Sequence, residues 1–255
     1  YPGQGKRSGA YMNGSAYDVH PYLLLNHNDD YDSLSTFAHE WGHAMHTLYA
    51  KQAQPFETAD YSTFIAEIPS TSLELILEQY MVENAESVDE KLFYLGQGLE
   101  SLRGTFFRQT MFAEFELALY EAVERDEALS GARITEIYGD IVRRYHGHDE
   151  GVVIIDDLYT NEWMFVPHFY YNMYVFQYAT SLTAGTALYA KIVEEGQSGV
   201  DNYKNLLRAG GSDYPYELLK AAGVDMATPE PYRAVVDRMN AIMDEMETLL
   251  DEKNL

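Results

Sequence analysis

Residues 34–48 read Leu34-Ser-Thr-Phe-Ala-His-Glu-Trp-Gly-His-Ala-Met-His-Thr-Leu48 and contain the pattern H-E-x-x-H, with histidines at positions 39 and 43. On an α-helix, residues four apart lie one turn above each other on the same face. Two neutral imidazoles in that arrangement can bind one Zn²⁺ ion. Glu40 follows the first histidine, so its carboxylate lies beside the same metal and can take a proton from the attacking water. The pattern therefore predicts a zinc site with a general base next to it.

This stretch also has the features of a helix that packs into a protein core. Asp32 and Ser33 are good N-cap residues and predict where the helix begins. The apolar residues at helical spacing are Leu34, Phe37, Ala38, Trp41, Ala44, Met45 and Leu48. They predict a largely buried helix. A buried helix must give its histidines and its glutamate partners, and a metal ion supplies them.

The third metal ligand is expected on the next helix, because the longer pattern H-E-x-x-H-x-x-G-x-x-H is absent from the sequence. Glu67 is the candidate, since it lies among apolar neighbours where an unpaired carboxylate is costly. An interhelix salt bridge is the alternative role for Glu67. Pro69 is expected to break or kink this helix. Glu74 either faces solvent or orients a ligand histidine.

The composition is that of an acidic protein with a sizeable core. Of the 255 residues 46% are hydrophobic, and 41 acidic against 17 basic side chains give a net charge of −24. Such a charge disfavours nucleic acids and anionic membranes as partners. Without cysteine, the sequence offers neither disulfides nor thiolate metal ligands. No apolar run reaches transmembrane length and no signal peptide opens the sequence, so we expect a cytoplasmic location.

From residue 33 onward the hydrophobic periodicity predicts helices almost throughout. They are expected over 33–51, 60–84, 88–127, 132–146, 169–195, 199–209, 214–222 and 229–252. Residues 1–31 instead predict a glycine-rich loop with one or two short strands. That segment either leads into the first helix or supplies an edge strand that pairs with an extended peptide beside the metal. The predicted fold is mostly α, a zincin-like single catalytic domain over residues 1–255 with a short β segment.

Several segments together resemble the oligoendopeptidase F group of the thimet-oligopeptidase family of zinc metallopeptidases. They are GKRSGAY at 5–11, HPYLLLN at 20–26, HEWGH at 39–43, FIAEIPST at 64–71, RQTMFAEF at 108–115 and PHFYYNMYVFQYAT at 167–180. The resemblance covers essentially the whole chain but only the C-terminal part of such enzymes. It implies a helical catalytic domain that faces a second helical lobe across a deep channel, with the N-terminal lobe absent or reduced here. It also implies that His39, His43 and Glu67 bind one zinc ion and that Glu40 is the base.

Residues 168–178 form an aromatic stretch whose simplest role is core packing. Tyr171, Tyr174 and Tyr178 fall at i, i+3 and i+7, which predicts one stripe on one helix. Phenol hydroxyls on such a stripe can hydrogen-bond a developing oxyanion. The resemblance implies this role for a histidine and tyrosines, with His168 and Tyr178 the best matches and Tyr171 the second choice. Tyr174 is predicted to contact the substrate.

The predicted function is zinc-dependent hydrolysis of internal peptide bonds in short oligopeptides. The predicted partners are such peptides, and self-association through apolar surface is a further expectation. Two alternatives stay open: a dipeptidyl carboxypeptidase-type exopeptidase, and a zinc-stabilised binding domain or inactive fragment without turnover. A closed structural zinc site generally has four protein ligands, and His46 is the candidate fourth ligand here.

Overall fold

The computed structural model describes residues 1, 3–6 and 9–253, so the predicted glycine-rich loop lies outside the described residues at positions 2, 7 and 8. Two short strands pair antiparallel, β1 (Tyr11–Asn13) and β2 (Tyr22–Leu24). The α-helices that follow are α1 (Tyr31–Ala53), α2 (Thr63–Glu83), α3 (Val88–Leu102), α4 (Arg108–Glu124), α5 (Gly131–Tyr145), α6 (Phe176–Glu195), α7 (Gln197–Ala209), α8 (Pro215–Ala221) and α9 (Glu230–Lys253). The predicted mostly α class with a short β segment is confirmed. Among the described helices, none has the length and hydropathy that a membrane crossing requires.

The chain divides into two units, and each is described by itself. Unit 1 contains Tyr1–Leu102 and Thr180–Leu255, and unit 2 contains Arg103–Ala179. The buried core of unit 1 is formed by Ile65, Ile68, Ala184, Leu188, Leu206, Leu219, Ala222, Val224 and Met226. These residues come from α2, α6, α7, α8 and the segment before α9, so these elements share one core. The expectation of one catalytic domain over residues 1–255 stays a prediction.

Helix α1 begins earlier than predicted. Its N-cap is Asp30, which has an extended backbone and accepts a hydrogen bond from the Ser33 N–H at 2.8 Å. The prediction of Asp32 or Ser33 as the cap was therefore wrong. Three residues separate Asp30 from Ser33, which is the spacing of a side-chain N-cap bond. Asp32 instead lies in the first turn, where its negative charge is favourable.

The prediction that α1 is largely buried was wrong for its large apolar side chains. Phe37 and Trp41 are 43% and 48% exposed, and their ring centroids lie 5.9 Å apart. The buried side of α1 consists instead of small and polar residues: Ser33, Glu40, Gly42, Ala44, His46, Thr47 and Ala50. The helix therefore presents its polar motif to the interior of unit 1, because small residues let α2 approach.

Helices α1 and α2 come closest at Gly42. A Cβ built on Gly42 would lie 2.5 Å from the Pro69 carbonyl oxygen and 2.6 Å from the Ser70 Cα, so only glycine fits there. The break expected at Pro69 does not occur, since α2 continues through it. The hydroxyls of Ser70 and Thr71 donate to the Glu67 carbonyl at 2.9 and 2.7 Å and support the helical turn that contains the proline.

The β1–β2 hairpin precedes α1 and is fastened to it. Met12 pairs with Leu23 across the hairpin. Near the end of α1, the Lys51 ammonium donates to the carbonyl oxygens of Gly14 and Ala16 at 2.5 and 2.6 Å. The segment after β1 therefore follows α1 toward its C-terminus.

Unit 2 is built on α4 and α5. Its buried core contains Met111, Phe112, Phe115, Tyr138, Ile141, Val142, Ile155 and Val175. The single helix predicted over 88–127 is interrupted at Arg103–Phe107, where one π-helical turn separates α3 from α4. Short 3₁₀ turns at Tyr159–Phe165 and Pro167–Tyr171 lead toward α6.

Helix α6 begins at Phe176, not at residue 169 as predicted. Asn172 and Met173 have φ angles of 51° and 58°. Left-handed residues cannot continue a right-handed helix, so the chain turns at this point. The prediction of one stripe on one helix was therefore wrong, because Tyr178 lies in α6 whereas Tyr171 and Tyr174 precede it.

Candidate metal centre

Three potential ligand atoms converge in unit 1, two from α1 and one from α2. The distance from His39 Nε2 to Glu67 Oε2 is 3.2 Å, and that from His43 Nε2 to the same oxygen is 3.3 Å. The two histidine nitrogens lie 3.2 Å apart. The structure thus brings together in a near-equilateral triangle the three residues that the sequence predicts as ligands.

This set of donors fits a zinc ion. Ligand atoms at about 2.0–2.1 Å from a tetrahedral zinc are about 3.3 Å from one another, which is the spacing of the triangle. Two histidines and one glutamate are the donors of catalytic sites that keep an open coordination position. The three side chains are between 14% and 26% exposed, so a fourth position can be reached from solvent.

The second ring nitrogen of His39 contacts Glu74. The distance from Nδ1 to Glu74 Oε1 is 3.0 Å. Burial acts to lower the pKa of His39, but the hydrogen bonds to Glu67 and Glu74 outweigh burial and raise that pKa to about 10. A carboxylate that accepts from Nδ1–H leaves Nε2 as the nitrogen that faces a metal. Of the two roles predicted for Glu74, the contact agrees with orienting a ligand histidine.

The Glu67 carboxylate is held by a residue that sequence reasoning missed. The Ser70 hydroxyl, fully buried, shares its proton between the Glu67 carbonyl oxygen at 2.9 Å and Glu67 Oε2 at 3.0 Å. Burial acts to raise the pKa of Glu67, but hydrogen bonds from His39 and His43 outweigh it and hold the pKa well below its usual range. The signal in the sequence was a hydroxyl three residues after the candidate ligand on a helix, which places both side chains on one face.

Glu40 lies beside the triangle on α1 and is 7% exposed. Burial raises the pKa of its carboxyl group, although the nearby His39 and His43 act to lower it. The backbone N–H of Met12 donates to this carboxylate. Strand β1 therefore lies next to the predicted general base.

The ring of His46 does not join the group of converging donors. It is 1% exposed and stacks on the Tyr61 ring, with centroids 3.6 Å apart and planes 14° apart. Burial lowers its pKa to about 3, so this histidine is neutral. The converging ligand atoms among the described residues are those of His39, His43 and Glu67.

The aromatic residues predicted for the site form a cluster in unit 2. The His168 ring stacks on Tyr174 with centroids 5.7 Å apart, and it meets Tyr171 and Tyr178 edge-on, each at 5.9 Å. Tyr174 also meets Tyr178 edge-on at 5.5 Å. The four rings are thus brought together by a turn rather than by one helix face.

Comparison with known proteins identifies the family. The sequence profile described as peptidase family M3 matches residues 1–237. The chain belongs to peptidase family M3. This M3 chain is 44% identical to oligopeptidase PepF of Bacillus subtilis over 234 residues, which are 92% of this chain and 34% of that protein. It is also 41% identical to an oligoendopeptidase F homolog of Lactococcus lactis, over 89% of this chain and 37% of that protein.

A solved structure shows the same fold. The oligoendopeptidase-F of Enterococcus faecium superposes with a TM-score of 0.75 and 36% identity, over 87% of this M3 chain and 40% of that one. The resemblance to oligoendopeptidase F is therefore confirmed. The chain spans a little more than a third of the length of the relatives it matches.

Proposed function

We propose that this chain carries the active site of a zinc-dependent endopeptidase that hydrolyses internal bonds of short oligopeptides. The observation that carries the proposal is the His39–His43–Glu67 triangle with the Glu40 carboxylate beside it. The relatives named oligopeptidase and oligoendopeptidase support the substrate class. One zinc ion per chain is the proposed cofactor.

His39, His43 and Glu67 are the proposed zinc ligands, and Glu40 is the proposed base. When bound, zinc lowers the pKa of a water molecule toward about 7 and polarises the scissile carbonyl. Glu40 takes a proton from the attacking water and later delivers it to the leaving amine. The raised pKa of Glu40 suits both steps, because a group that titrates closer to the working pH both accepts and returns a proton.

The aromatic cluster of unit 2 supplies the proposed groups that bind the reacting carbonyl. We assign His168 and Tyr178 to hydrogen-bond the developing oxyanion, with Tyr171 as the second choice, and Tyr174 to contact the substrate. Removing the donor hydroxyl should lower kcat about 10²–10³-fold. Tyr178→Phe and Tyr171→Phe, compared for kcat, decide which hydroxyl donates.

Strand β1 is the proposed place where an extended peptide pairs through its backbone. It lies next to Glu40, whose carboxylate accepts from the Met12 N–H, and the remaining outward backbone groups of an edge strand can pair with a peptide. Backbone pairing recognises extended peptides with little regard to sequence, which agrees with oligopeptides as a substrate class.

The test is cleavage of an internally quenched peptide by metal-free and zinc-reloaded full-length protein. We expect cleavage to return with zinc. Glu40→Gln should retain one zinc per chain and lose about 10²–10⁴ in turnover, since general acid–base catalysis contributes that much. Glu57→Gln, an exposed residue in the turn after α1, is the matched control. A fully active Glu40→Gln protein would contradict the mechanism.

A second experiment separates endopeptidase from exopeptidase activity. The same peptide is digested with a free and with an amidated C-terminus, and the products are identified by mass. An endopeptidase cleaves both at the same internal bond, whereas a dipeptidyl carboxypeptidase requires the free carboxylate. Zinc binding without cleavage of either peptide would favour the non-catalytic binding domain.

A further inference from the structure

The segment between His168 and Tyr178 contains two consecutive left-handed residues, neither of them glycine. They are Asn172, with φ of 51°, and Met173, with φ of 58°. Asparagine tolerates this region, whereas methionine rarely adopts it. Backbone conformations of this kind persist only where surrounding contacts hold them, and they concentrate at functional sites.

Two side chains of α4 hold this turn. Glu116 Oε1 accepts a hydrogen bond from the Met173 N–H at 2.7 Å. The Tyr120 hydroxyl donates to Asn172 Oδ1 at 2.8 Å. Glu116 and Tyr120 are four residues apart and therefore lie on one face of α4. Each of the two strained residues thus has its own partner on the same helix.

Burying the Glu116 carboxylate at this position is energetically unfavourable. It is 3% exposed, and Phe115 beside it is fully buried in the core of unit 2. An apolar side chain of similar volume would fill the same space without the cost of burying a charge. The charge-assisted hydrogen bond to the Met173 amide is the interaction that only an acceptor can make.

The turn determines where the clustered rings lie. Tyr171 immediately precedes Asn172, and Tyr174 immediately follows Met173. The Tyr174 ring stacks on His168 with planes 21° apart. A change of φ at residues 172 and 173 would therefore move Tyr171 and Tyr174 relative to His168.

We infer that Glu116 and Tyr120 are positioning residues that hold the Asn172–Met173 turn left-handed and so fix the arrangement of the His168 cluster. The inference rests on the proposed function, in which His168 and the tyrosines of this cluster act on the substrate. Neither Glu116 nor Tyr120 is assigned to reacting atoms. Their effect on turnover passes through the backbone of the turn.

The experiment compares Glu116→Leu, Glu116→Gln and Tyr120→Phe in the full-length, zinc-loaded protein. Glu116→Leu should lower kcat about 10²-fold, because a shift of about 1 Å in the positions of the clustered rings has an effect of that size. KM and zinc content should be unchanged. Glu116→Gln keeps an oxygen that accepts from the Met173 N–H, so it should retain most of the turnover. Tyr120→Phe should fold, because Tyr120 is 39% exposed, and it should lose less kcat than Glu116→Leu. Glu114→Gln is the control, since this residue of α4 pairs with Arg144.

A suppressor variant distinguishes positioning from general packing. Glycine adopts positive φ without strain, so Met173→Gly lets the turn form without the hydrogen bond to Glu116. In the Glu116→Leu background, Met173→Gly should recover part of the lost kcat. A packing role predicts a further loss instead, because the added glycine raises the entropy of the unfolded chain and removes a side chain.

Amide hydrogen exchange followed by mass spectrometry supplies a readout that does not depend on turnover. Glu116→Leu should lose protection in peptides that cover 168–178, and Glu114→Gln should not. Unchanged protection there, wild-type kcat in Glu116→Leu, or no recovery with Met173→Gly would each overturn the inference. A wild-type protein that cleaves no peptide would contradict the proposed function instead, and the exchange data would still decide whether Glu116 holds the turn.

Discussion

Both ring nitrogens of His39 have partners, and this arrangement bears on how the proposed zinc ion would bind. Its Nδ1 meets Glu74, while Nε2 faces Glu67 and His43. Without metal, a proton on Nε2 satisfies the carboxylate of Glu67. A zinc ion bound at the proposed site would take the place of that proton, since only a neutral imidazole can be a ligand.

Zinc binding should therefore release a proton from His39. Because the pKa of His39 is raised to about 10, the ring is charged at pH 7.5 in the metal-free protein. Its ionised form stabilises that protein fully below the unfolded pKa of about 6.5, and the contribution is lost as pH rises through about 10. Apparent zinc affinity should then rise about tenfold per pH unit from this proton alone up to pH 10.

Titration calorimetry at pH 7.5 in buffers of different ionisation enthalpy measures this release. We expect about one proton from His39 per zinc. Glu74→Gln is the matched variant, because it removes one of the carboxylates that raise the pKa of His39. It should release fewer protons than wild type. A binding enthalpy that is the same in all buffers would contradict the prediction.

Ser70→Ala should weaken zinc binding about 10- to 100-fold, because its hydroxyl orients the carboxylate of Glu67, the proposed third ligand. Competition with a chromophoric chelator measures the dissociation constant. Ser72→Ala is the control, since the equally buried Ser72 hydroxyl donates to the Ile68 carbonyl at 2.7 Å. Equal losses of zinc affinity in the two variants would show that Ser70 has no special role at the site.

Between elements, the separation of α1 and α2 determines whether the three donors can meet. The two helices touch backbone to backbone where Gly42 meets Pro69 and Ser70. Gly42 is one residue before His43, and Pro69 is two residues after Glu67. A small increase in helix separation would therefore open the triangle of donors directly.

Gly42→Ala should cost about 1–3 kcal/mol of unfolding free energy, because the added methyl overpacks against rigid backbone. It should also weaken zinc binding, since the helices must move apart. Urea denaturation and chelator competition measure the two effects. Gly96→Ala in α3 is the control, as a Cβ there meets nothing within 4 Å and alanine favours the helix. A Gly42→Ala protein with wild-type stability and zinc affinity would contradict this account of the interface.

For the whole molecule, the proposed zinc ion would be a ligand of the folded state, bound by side chains from two helices of unit 1. At a free zinc concentration about 1,000 times the dissociation constant, binding adds about 4 kcal/mol to the free energy of unfolding. In a chain of this size, that raises Tm by on the order of 10 °C. His43→Ala should abolish the increase, and scanning calorimetry measures it.

The net charge of −24 attracts cations in general, so Mg²⁺ is the necessary control for this prediction. Magnesium prefers oxygen ligands and an octahedral arrangement, which a site with two imidazoles does not provide. It should leave Tm unchanged at concentrations where zinc raises it. An equal response to both ions would indicate general screening of the acidic surface rather than binding at the His39–His43–Glu67 triangle.

The sequence by itself determined the local features of this protein. The spacing of His39 and His43 places both on one helical face, and the burial of a carboxylate made Glu67 the third candidate. Most helix boundaries followed from the helical periodicity of apolar residues and from the glycine or proline residues that interrupt it. These are properties of neighbouring residues, so they are present before the chain folds.

Only the tertiary structure decided which distant groups meet. The contact of Glu74 with His39 spans 35 positions and depends on how α1 and α2 pack at Gly42. The turn at Met173, which ended the predicted aromatic helix, is held by Glu116 from 57 positions away. A hydrogen bond from a remote helix can outweigh local helical propensity, because propensities differ by less than about 1 kcal/mol per residue whereas a buried charged acceptor contributes more.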